Sequence, residues 1–253
     1  NKENIRYYAS YSAGFRPPTL DDMCRSQSSG NQFRVANPYL VDEYINNFEI
    51  GGDIIFSKKI KLSASMYFSI GNDFMYNVST GDSVDIGYKI IPVYQMDNIS
   101  QMQAYGGETA INIELWKGGS FFTNYAYTHS TITDFEVVDP EVDFDLSGKF
   151  LANVPMHSAS AGISWENRIV SANLLWKYKG QRYINDRNTR DIKYFNSATY
   201  PSYQTLNLRL WKPLPYGLIA ALNLDNITNT IYLDSKGRKC PGRMIMVEVS
   251  WKL

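Results

Sequence analysis

Two histidines are the side chains of this sequence best suited to proton transfer near neutral pH. They are His129 and His157, and Asp134 follows the first of them. A histidine and an aspartate within hydrogen-bond reach can activate a water molecule for hydrolysis. Such chemistry would also use paired carboxylates opposite the histidines, and the sequence shows no recurring pair of this kind. The pattern favours a hydrogen-bonding role for both histidines, and we predict no catalytic residue and no enzymatic activity.

Cys24 and Cys240 are the only cysteines, and they lack the close spacing of a metal or redox site. They fit either two unrelated loop thiols or a disulfide formed in an oxidising compartment. The sequence also lacks a glycine-rich phosphate loop, a Gly-x-Ser-x-Gly segment and zinc-ligand spacing. We therefore predict no metal site and no cofactor.

The composition of the chain excludes several classes of protein. Hydrophobic residues make up 44% of the 253 residues, which excludes a disordered polar chain. Lys and Arg together number 25, as do Asp and Glu, so no excess of positive charge favours a nucleic-acid partner. No apolar run approaches the roughly 20 residues of a transmembrane helix. The mean hydropathy of −0.32 is nevertheless compatible with a membrane barrel, whose strands alternate apolar and polar residues.

Strict alternation of apolar and polar residues is the dominant pattern along the chain. It predicts strands with one apolar and one polar face, and no segment has a helical period. The fold class expected is therefore all-β and antiparallel, with about ten strands. The alternating segments are 5–13, 48–56, 60–69, 108–115, 121–129, 158–165, 170–179, 205–210, 218–225 and 245–253.

Short and long connections alternate between these segments. The short ones are 57–59, 117–119, 166–168 and 213–217, and the long polar ones are 16–42, 77–100, 131–156, 181–203 and 235–242. An up-and-down transmembrane β-barrel of the outer membrane has short periplasmic turns and long external loops in this way. We predict that both cysteines lie on long loops of the same side and are joined.

Aromatic residues at the short-turn end support the membrane interpretation. Phe56, Phe121, Trp165 and Trp251 fall in the apolar register at strand ends, where a membrane-interface girdle would place them. Trp116 and Trp211 break the alternation, so each requires a bulge or an inward position. Alternation alone does not decide whether the apolar face points outward to lipid or inward, and a soluble sandwich would bury the apolar face as a dry core.

Six segments, taken in order, resemble the TonB-dependent outer-membrane receptors. They are YYASYSAGFRPPTL at 7–20, ANPYLVDEYINNFEIGG at 36–52, YGGE at 105–108, LSGKFLANVPMHSASAGISW at 146–165, LNLDNITNTIYLD at 222–234 and CPGRMIMVEVSWKL at 240–253. The last resembles the final strand that directs insertion of such barrels, although it ends on Leu253 where the family usually has Phe.

The resemblance implies a transport receptor of the Gram-negative outer membrane. Such receptors begin with a TonB box and a plug domain, followed by a barrel of about 22 strands. Residues 1–253 resemble only the C-terminal portion of that barrel, so the plug and the N-terminal strands are expected to precede them. The implied partners are membrane lipid and lipopolysaccharide, the rest of the receptor, the TonB complex, and a ligand such as a ferric siderophore or cobalamin. A complete ten-stranded outer-membrane channel or omptin-like protease remains an alternative, as does a soluble β-rich binding module.

The loops provide only weak indications of the ligand, whose binding residues stay unknown. Residues 19–36 lie between two segments that resemble the paired boxes of haem receptors, but they contain no histidine. Met23 or Cys24 would be the remaining iron ligands there, and ordinary loop roles are favoured for both. Segment 134–145 is acidic without calcium-loop spacing, and Arg187, Arg190, Lys193 and Tyr194 suit an anionic siderophore or a lipopolysaccharide phosphate.

Overall fold

The chain forms a continuous antiparallel sheet in a computed structural model that describes residues 4–57, 59–138, 144–190, 196–233 and 237–251. Ten strands follow one another in the order β1-β4-β5-β6-β7-β8-β9-β12-β13-β14. Their bounds are Ile5–Arg16 (β1), Glu43–Ser57 (β4), Ile60–Asp85 (β5), Ile90–Trp116 (β6), Gly119–Phe135 (β7), His157–Trp165 (β8), Ser171–Lys179 (β9), Tyr203–Pro213 (β12), Leu218–Asp225 (β13) and Met244–Trp251 (β14). The all-β, up-and-down architecture expected from the sequence is confirmed.

Tight turns join the strands at one end of the sheet. Gly118, with a φ of 79°, turns the chain between β6 and β7, where a side chain on an L-residue would be strained. A 3-10 turn at Pro215–Gly217 joins β12 and β13, and the indole of Trp251 donates to the carbonyl oxygen of Tyr216 at 2.8 Å. That contact ties the end of β14 to the neighbouring turn, so the short-turn end is regular and compact.

The strand register places the aliphatic residues on one face of the sheet. Leu62 lies opposite Ile111, Leu174 opposite Leu208, and Leu222 opposite Val247. These residues do not form a dry core, because members of the same face such as Ile50 and Val247 are 60% and 77% exposed. An exposed aliphatic face of this extent fits contact with lipid and not a soluble sandwich.

The opposite face is polar and is partly covered by aromatic rings. The Tyr67 ring lies over Gly106 of β6, and its hydroxyl is 2.6 Å from the Thr128 hydroxyl of β7. The Tyr8 ring of β1 covers Gly51 of β4 in the same way. A Cβ atom at either glycine would meet the ring at less than 3 Å, so glycine is required for this close packing.

Strands β5 and β6 run far beyond the length that a bilayer needs. They contain 26 and 27 residues, whereas a membrane-spanning strand needs about 9–11. The sequence-based prediction of a polar loop at 77–100 was therefore wrong. Outside lipid, successive residues of these strands no longer alternate between apolar and polar. Register shifts between Gly71 and Phe74 and between Ser79 and Ser83 also interrupt the period of two.

A small apolar cluster lies at this external end. It comprises Val78, Ile99, Ile132, Phe135 and Leu146, and we call it the external cluster. Ile132 is 1% exposed, and its backbone N–H donates to the Lys149 carbonyl oxygen at 2.9 Å. The cluster therefore holds the segment after β7 against the extended β5–β6 hairpin.

The first long connection also has regular structure. It contains α1 (Leu20–Cys24), β2 (Gln27–Ser29) and β3 (Gln32–Val35), and β3 pairs in parallel with β6. Thr19 caps α1 through its hydroxyl oxygen, which accepts the Asp22 N–H. The connection therefore packs onto the wall instead of extending into solvent.

The two tryptophans that break the alternation behave differently. A register shift between Glu114 and Trp116 creates a bulge at the end of β6. Trp211 shares its register with Ala221 and Ser171, two buried residues of neighbouring strands, and belongs to the polar face. The bulge and the inward position were the two solutions expected from the sequence.

Within the described residues, β1 and β14 lie at opposite ends of the strand order and do not pair with each other. The sheet is therefore open in this structure. No helix among the described residues is long and apolar enough to cross a membrane. Leu253 lies outside the described residues.

Candidate ligand-binding cavity

The polar face of the sheet borders an open cavity of about 1150 Å³. Its lining runs from Tyr8 of β1 to Met244 of β14, so strands at both ends of the order contribute to one space. A flat sheet cannot achieve this, and the wall must therefore curve around the cavity. About half of the lining residues are serine, threonine, asparagine or charged, the types that the sequence predicts for the inner face.

Carboxylates on β4 form one side of the cavity. Glu49 accepts a hydrogen bond from the Tyr8 hydroxyl at 2.7 Å. Asp53 accepts one from Ser63 at 2.6 Å, and its carboxylate lies 3.4 Å from the Lys61 ammonium group. Both carboxylates therefore already have partners within the wall.

Lysines on β9 form the other side. Lys177 and Lys179 are two residues apart on one strand, so both point into the cavity. Ser160 and Thr205 flank Lys177, and Ser158 and Tyr203 flank Lys179, in the neighbouring strands. Their cross-strand neighbours are all neutral, and the ion pairs found among the described residues include neither lysine.

Arg182 lies just beyond these lysines, in the short strand β10 (Arg182–Tyr183), which pairs with β11 (Thr199–Tyr200). It is only 2% exposed. One guanidinium nitrogen donates to the Leu233 carbonyl oxygen at 2.7 Å, and the group lies 4.9 Å from the centre of the Tyr200 ring. Nε and Nη1 have no hydrogen-bond partner, which is unusual for a buried cation.

Residues 144–152 and 184–190 form a cap above the wall, and Asp186 and Asn188 hold these two segments together. The Asn188 side chain exchanges two hydrogen bonds with the Phe150 backbone, at 2.7 and 2.8 Å. Asp186 accepts the Ala152 N–H at 2.7 Å and also bonds Tyr76. Burial, together with the negative charge of Asp186, raises the pKa of Tyr76 to about 12. The phenol therefore stays protonated and able to donate at physiological pH.

A buried carboxylate secures the base of the first external connection. Glu43 is 4% exposed, and both of its oxygens bond the Arg16 guanidinium. One of them also accepts the Met75 N–H at 3.0 Å. This single side chain therefore joins β1, β4 and the external part of β5.

Both histidines lie on the outward face of the wall and not in the cavity. His157 shares a hydrogen bond with the Tyr125 hydroxyl at 2.8 Å, and His129 stacks on Tyr105 at a centroid distance of 4.7 Å. Asp134 lies five residues beyond His129 on the same strand, roughly 16 Å away at about 3.3 Å per residue. The structure therefore does not bring them together as a dyad, and the hydrogen-bonding role expected for His157 is seen directly.

The disulfide predicted from the sequence is not formed, and Cys24 and Cys240 are both free thiols in the structure. Cys24 ends α1, whose connection packs on β6, whereas Cys240 precedes β14 at the far end of the sheet. Five strands separate β6 from β14 in the sheet, and a disulfide requires Cα atoms within about 7 Å. Two loops on the same side of a wide sheet are therefore not necessarily neighbours.

The other loop residues singled out in the sequence are dispersed. Met23 is half-buried in α1, and Arg190 is exposed. The Arg187 guanidinium lies 4.1 Å from the centre of the Phe144 ring, which adds a contact to the cap. Lys193, Tyr194 and part of the acidic segment, 139–143, lie outside the described residues. No group of three or more His, Cys, Asp or Glu side chains in the described part of the chain is arranged to hold a metal ion.

The alternation within 170–179 puts Lys177 and Lys179 on the polar face of β9, but the alternation alone does not mark them as a site. Arg182 was not identified either, because it follows the alternating segment and its burial depends on Leu233, which is distant in sequence. The sequence feature that could have indicated this site is the pair Lys177 and Lys179 on the polar face of a strand whose other polar-face residues are uncharged.

Comparisons with known proteins agree with this architecture. Residues 2–227 match the family described as TonB dependent receptor-like, beta-barrel. The chain is 28% identical over 166 residues to the iron-regulated outer membrane virulence protein of Vibrio cholerae serotype O1, a match that covers 61% of this chain and 23% of that protein. The chain therefore corresponds to about a quarter of the length of this relative.

Solved structures show the same fold at low sequence identity. The FrpB iron transporter of Neisseria meningitidis superposes with a TM-score of 0.72 at 15% identity, covering 98% of this chain and 37% of FrpB. The unliganded ferric citrate transporter FecA gives 0.72 at 15% identity, with 98% and 36% covered. The copper transporter OprC gives 0.69 at 16% identity, with 98% and 37% covered. Together with the match over most of its length, these findings show that the chain belongs to the TonB-dependent receptor β-barrel family.

Proposed function

We propose that this chain is the C-terminal part of the wall of an uptake receptor in the outer membrane of a Gram-negative bacterium. The receptor binds a scarce nutrient at its external side, either a ferric siderophore or a cobalamin-like compound. The plug and the remaining strands belong to the preceding part of the protein, and the TonB complex supplies energy through that plug. In this proposal no residue of the chain performs covalent chemistry.

The observation that carries this proposal is a wall with two unlike faces. Its outer face is aliphatic and exposed, as lipid contact requires, and its inner face lines a polar cavity of about 1150 Å³. The external cap, held by Asp186 and Asn188, lies where a ligand would arrive from outside. A wall of this kind needs partners at both edges because β1 and β14 do not pair with each other in the part of the chain that the structure describes.

The open sheet also weighs against a stand-alone ten-stranded channel or protease, which would need its first and last strands to pair. The outward positions of His129 and His157 remove the residues that an omptin-like protease would use. Two proteins of similar fold support uptake of an iron compound: FyuA of Yersinia pestis is a ferric yersiniabactin uptake receptor, and FecA is a ferric citrate transporter.

The test is growth of a Gram-negative strain that lacks its own ferric receptors. The full-length receptor is expressed in it under iron limitation, and ferric citrate, ferrioxamine B or no chelate is supplied; cyanocobalamin is tested in a cobalamin-dependent strain. We expect one compound to restore growth in a strain with active TonB and not in one without it. Growth with none of these compounds, or growth independent of TonB, would refute the proposal.

A further inference from the structure

The cations at the end of β9 and in β10 are not fully paired within the wall: Lys177 and Lys179 line the cavity, and Arg182 is buried. Lys61 on the acidic side is paired with Asp53, and Arg209 lies 3.5 Å from Glu248. Lys177 and Lys179 form no ion pair with any described residue, although Glu49, Glu108 and Asp225 line the same cavity. Among the described residues, the positive charge on this side is therefore not compensated by an ion pair.

Arg182 adds a second and independent observation. A guanidinium that is 98% buried normally has a carboxylate partner or a full set of acceptors, yet Nε and Nη1 of Arg182 have none. Its charge acts on Lys179, with which it interacts electrostatically. Neighbouring cations repel each other, so the interaction between Arg182 and Lys179 raises the free energy of the folded wall. An anion bound at Lys179 would relieve that repulsion.

The position of the lysines defines what can reach them. They occupy the external end of β9, opposite the end that carries the tight turns. Lys177 is exposed and Lys179 is half-buried, so both ammonium groups are accessible from the cavity. The stacked rings of Tyr203 and Tyr232, 4.2 Å between centroids, also line this part of the cavity and provide a flat apolar surface.

We infer that Lys177 and Lys179, with the buried charge of Arg182 acting on Lys179, form a binding site for a carboxylate or similar oxyanion group of the imported compound. The two lysines make the direct contacts, and Arg182 is a positioning residue that strengthens the local positive potential. The inference rests on the proposed function and adds a charge preference to it: the compound is anionic on the side that meets β9.

The test measures equilibrium binding to the purified full-length receptor, with ferric citrate as the anionic probe and ferrioxamine B as the cationic probe. We expect the wild type to prefer ferric citrate. Each Lys→Gln change should weaken its binding about tenfold and K177Q/K179Q about 100-fold, since a hydrogen bond to a charged group is worth roughly one to two factors of ten. Replacing both lysines by arginine should retain the binding.

The matched control is Lys61→Gln, which removes an inner-wall lysine that is already paired, and it should change the affinity less than about twofold. Arg182→Met should weaken binding of ferric citrate and leave that of ferrioxamine B unchanged. A purely structural role of Arg182 would instead affect both probes equally.

Equal binding of ferric citrate by the wild type and K177Q/K179Q would overturn the inference. So would a preference for the cationic probe, or lysine variants that lose thermal stability without losing ferric citrate, because the lysines would then anchor another part of the receptor. These outcomes leave the proposed function intact. That function fails separately if no compound is imported in the growth test.

Discussion

Replacing Ile132 by alanine should loosen the external cap and leave the membrane wall intact. Ile132 is 1% exposed and packs in the external cluster with Val78, Ile99, Phe135 and Leu146. The change removes three carbon atoms, worth about 0.8 kcal/mol each in transfer free energy, and leaves a cavity, so the total cost is about 2–5 kcal/mol. The wall strands do not contact this cluster in their membrane-spanning parts, and the cost should therefore fall on the cap alone.

Hydrogen exchange of the full-length receptor measures this effect. Residues 144–152 are held by Ile132 and by Asn188, through the bonds of Gly148, Lys149 and Phe150. A loss of 2 kcal/mol or more should accelerate their exchange at least about 30-fold. Exchange in β12 and β13 should stay unchanged, as should the thermal unfolding of the barrel.

Ile50→Ala is the matched control, because it makes the same chemical change on the outer face of β4, where the side chain is 60% exposed. It creates no cavity inside the protein and should leave exchange in 144–152 unaltered. If Ile132→Ala gives the same exchange pattern as Ile50→Ala, the external cluster does not hold the cap. If it unfolds the barrel, the cap and wall are one cooperative unit, and the reasoning is equally refuted.

The remaining predictions concern the wall, a phenol and the thiols. Leu222→Arg, in the middle of the outer face of β13, should destabilise the barrel by about 2–4 kcal/mol in lipid vesicles. Asn124→Arg, on the inner face of β7 opposite the uncharged Ala110 and Ser160, should be nearly neutral. Equal denaturant midpoints for the two variants would show that the faces are misassigned. Because the folded-state pKa of Tyr76 is about 12 against an ordinary value of 10.0, cap stability should be constant below pH about 10 and decrease between about 10 and 12. Ultraviolet detection of phenolate checks this against Tyr76→Phe, and the same decrease in that variant would rule Tyr76 out as the cause. Mass spectrometry of unreduced, alkylated protein should find both Cys24 and Cys240 labelled, with the exposed Cys24 reacting faster. A species with neither cysteine labelled would show that the two form a disulfide.

The sequence specifies the membrane part of the wall well because lipid and water impose one rule on every strand. Segment 218–225 was predicted with the bounds that the structure gives to β13, and 170–179 differs from β9 by one residue. In this region a residue faces either lipid or the cavity, so alternation of polarity follows strand geometry directly. The connections at the short-turn end are short because the chain only has to reverse direction there.

Above the bilayer that rule no longer holds. Residues 77–100 were predicted to be a loop because their polarity does not alternate, yet they continue the β5–β6 hairpin. Their stability comes from backbone pairing and from contacts with the external cluster, which involve residues distant in sequence. The cap contacts of Asp186 and Asn188 also join residues distant in sequence, and no local sequence pattern predicts them.

The candidate site could be predicted only in part from the sequence. Alternation placed Lys177 and Lys179 on the inner face, which required only the parity of β9. Their lack of partners and the burial of Arg182 depend on which strands become neighbours and on where Leu233 comes to lie. Those are properties of the assembled sheet, and the sequence alone does not give them.

The length of the β5–β6 hairpin determines how far the chain projects beyond the membrane-spanning part of the wall. Of the 26 residues of β5, about 11 suffice to cross the bilayer, so the rest carry the turn at Gly87 roughly 50 Å further along the strand. In the receptor proposed above, this turn would stand on the external side, well clear of the lipid. Substitutions at the turn would then change the part of the protein that projects furthest without disturbing a single contact in the bilayer.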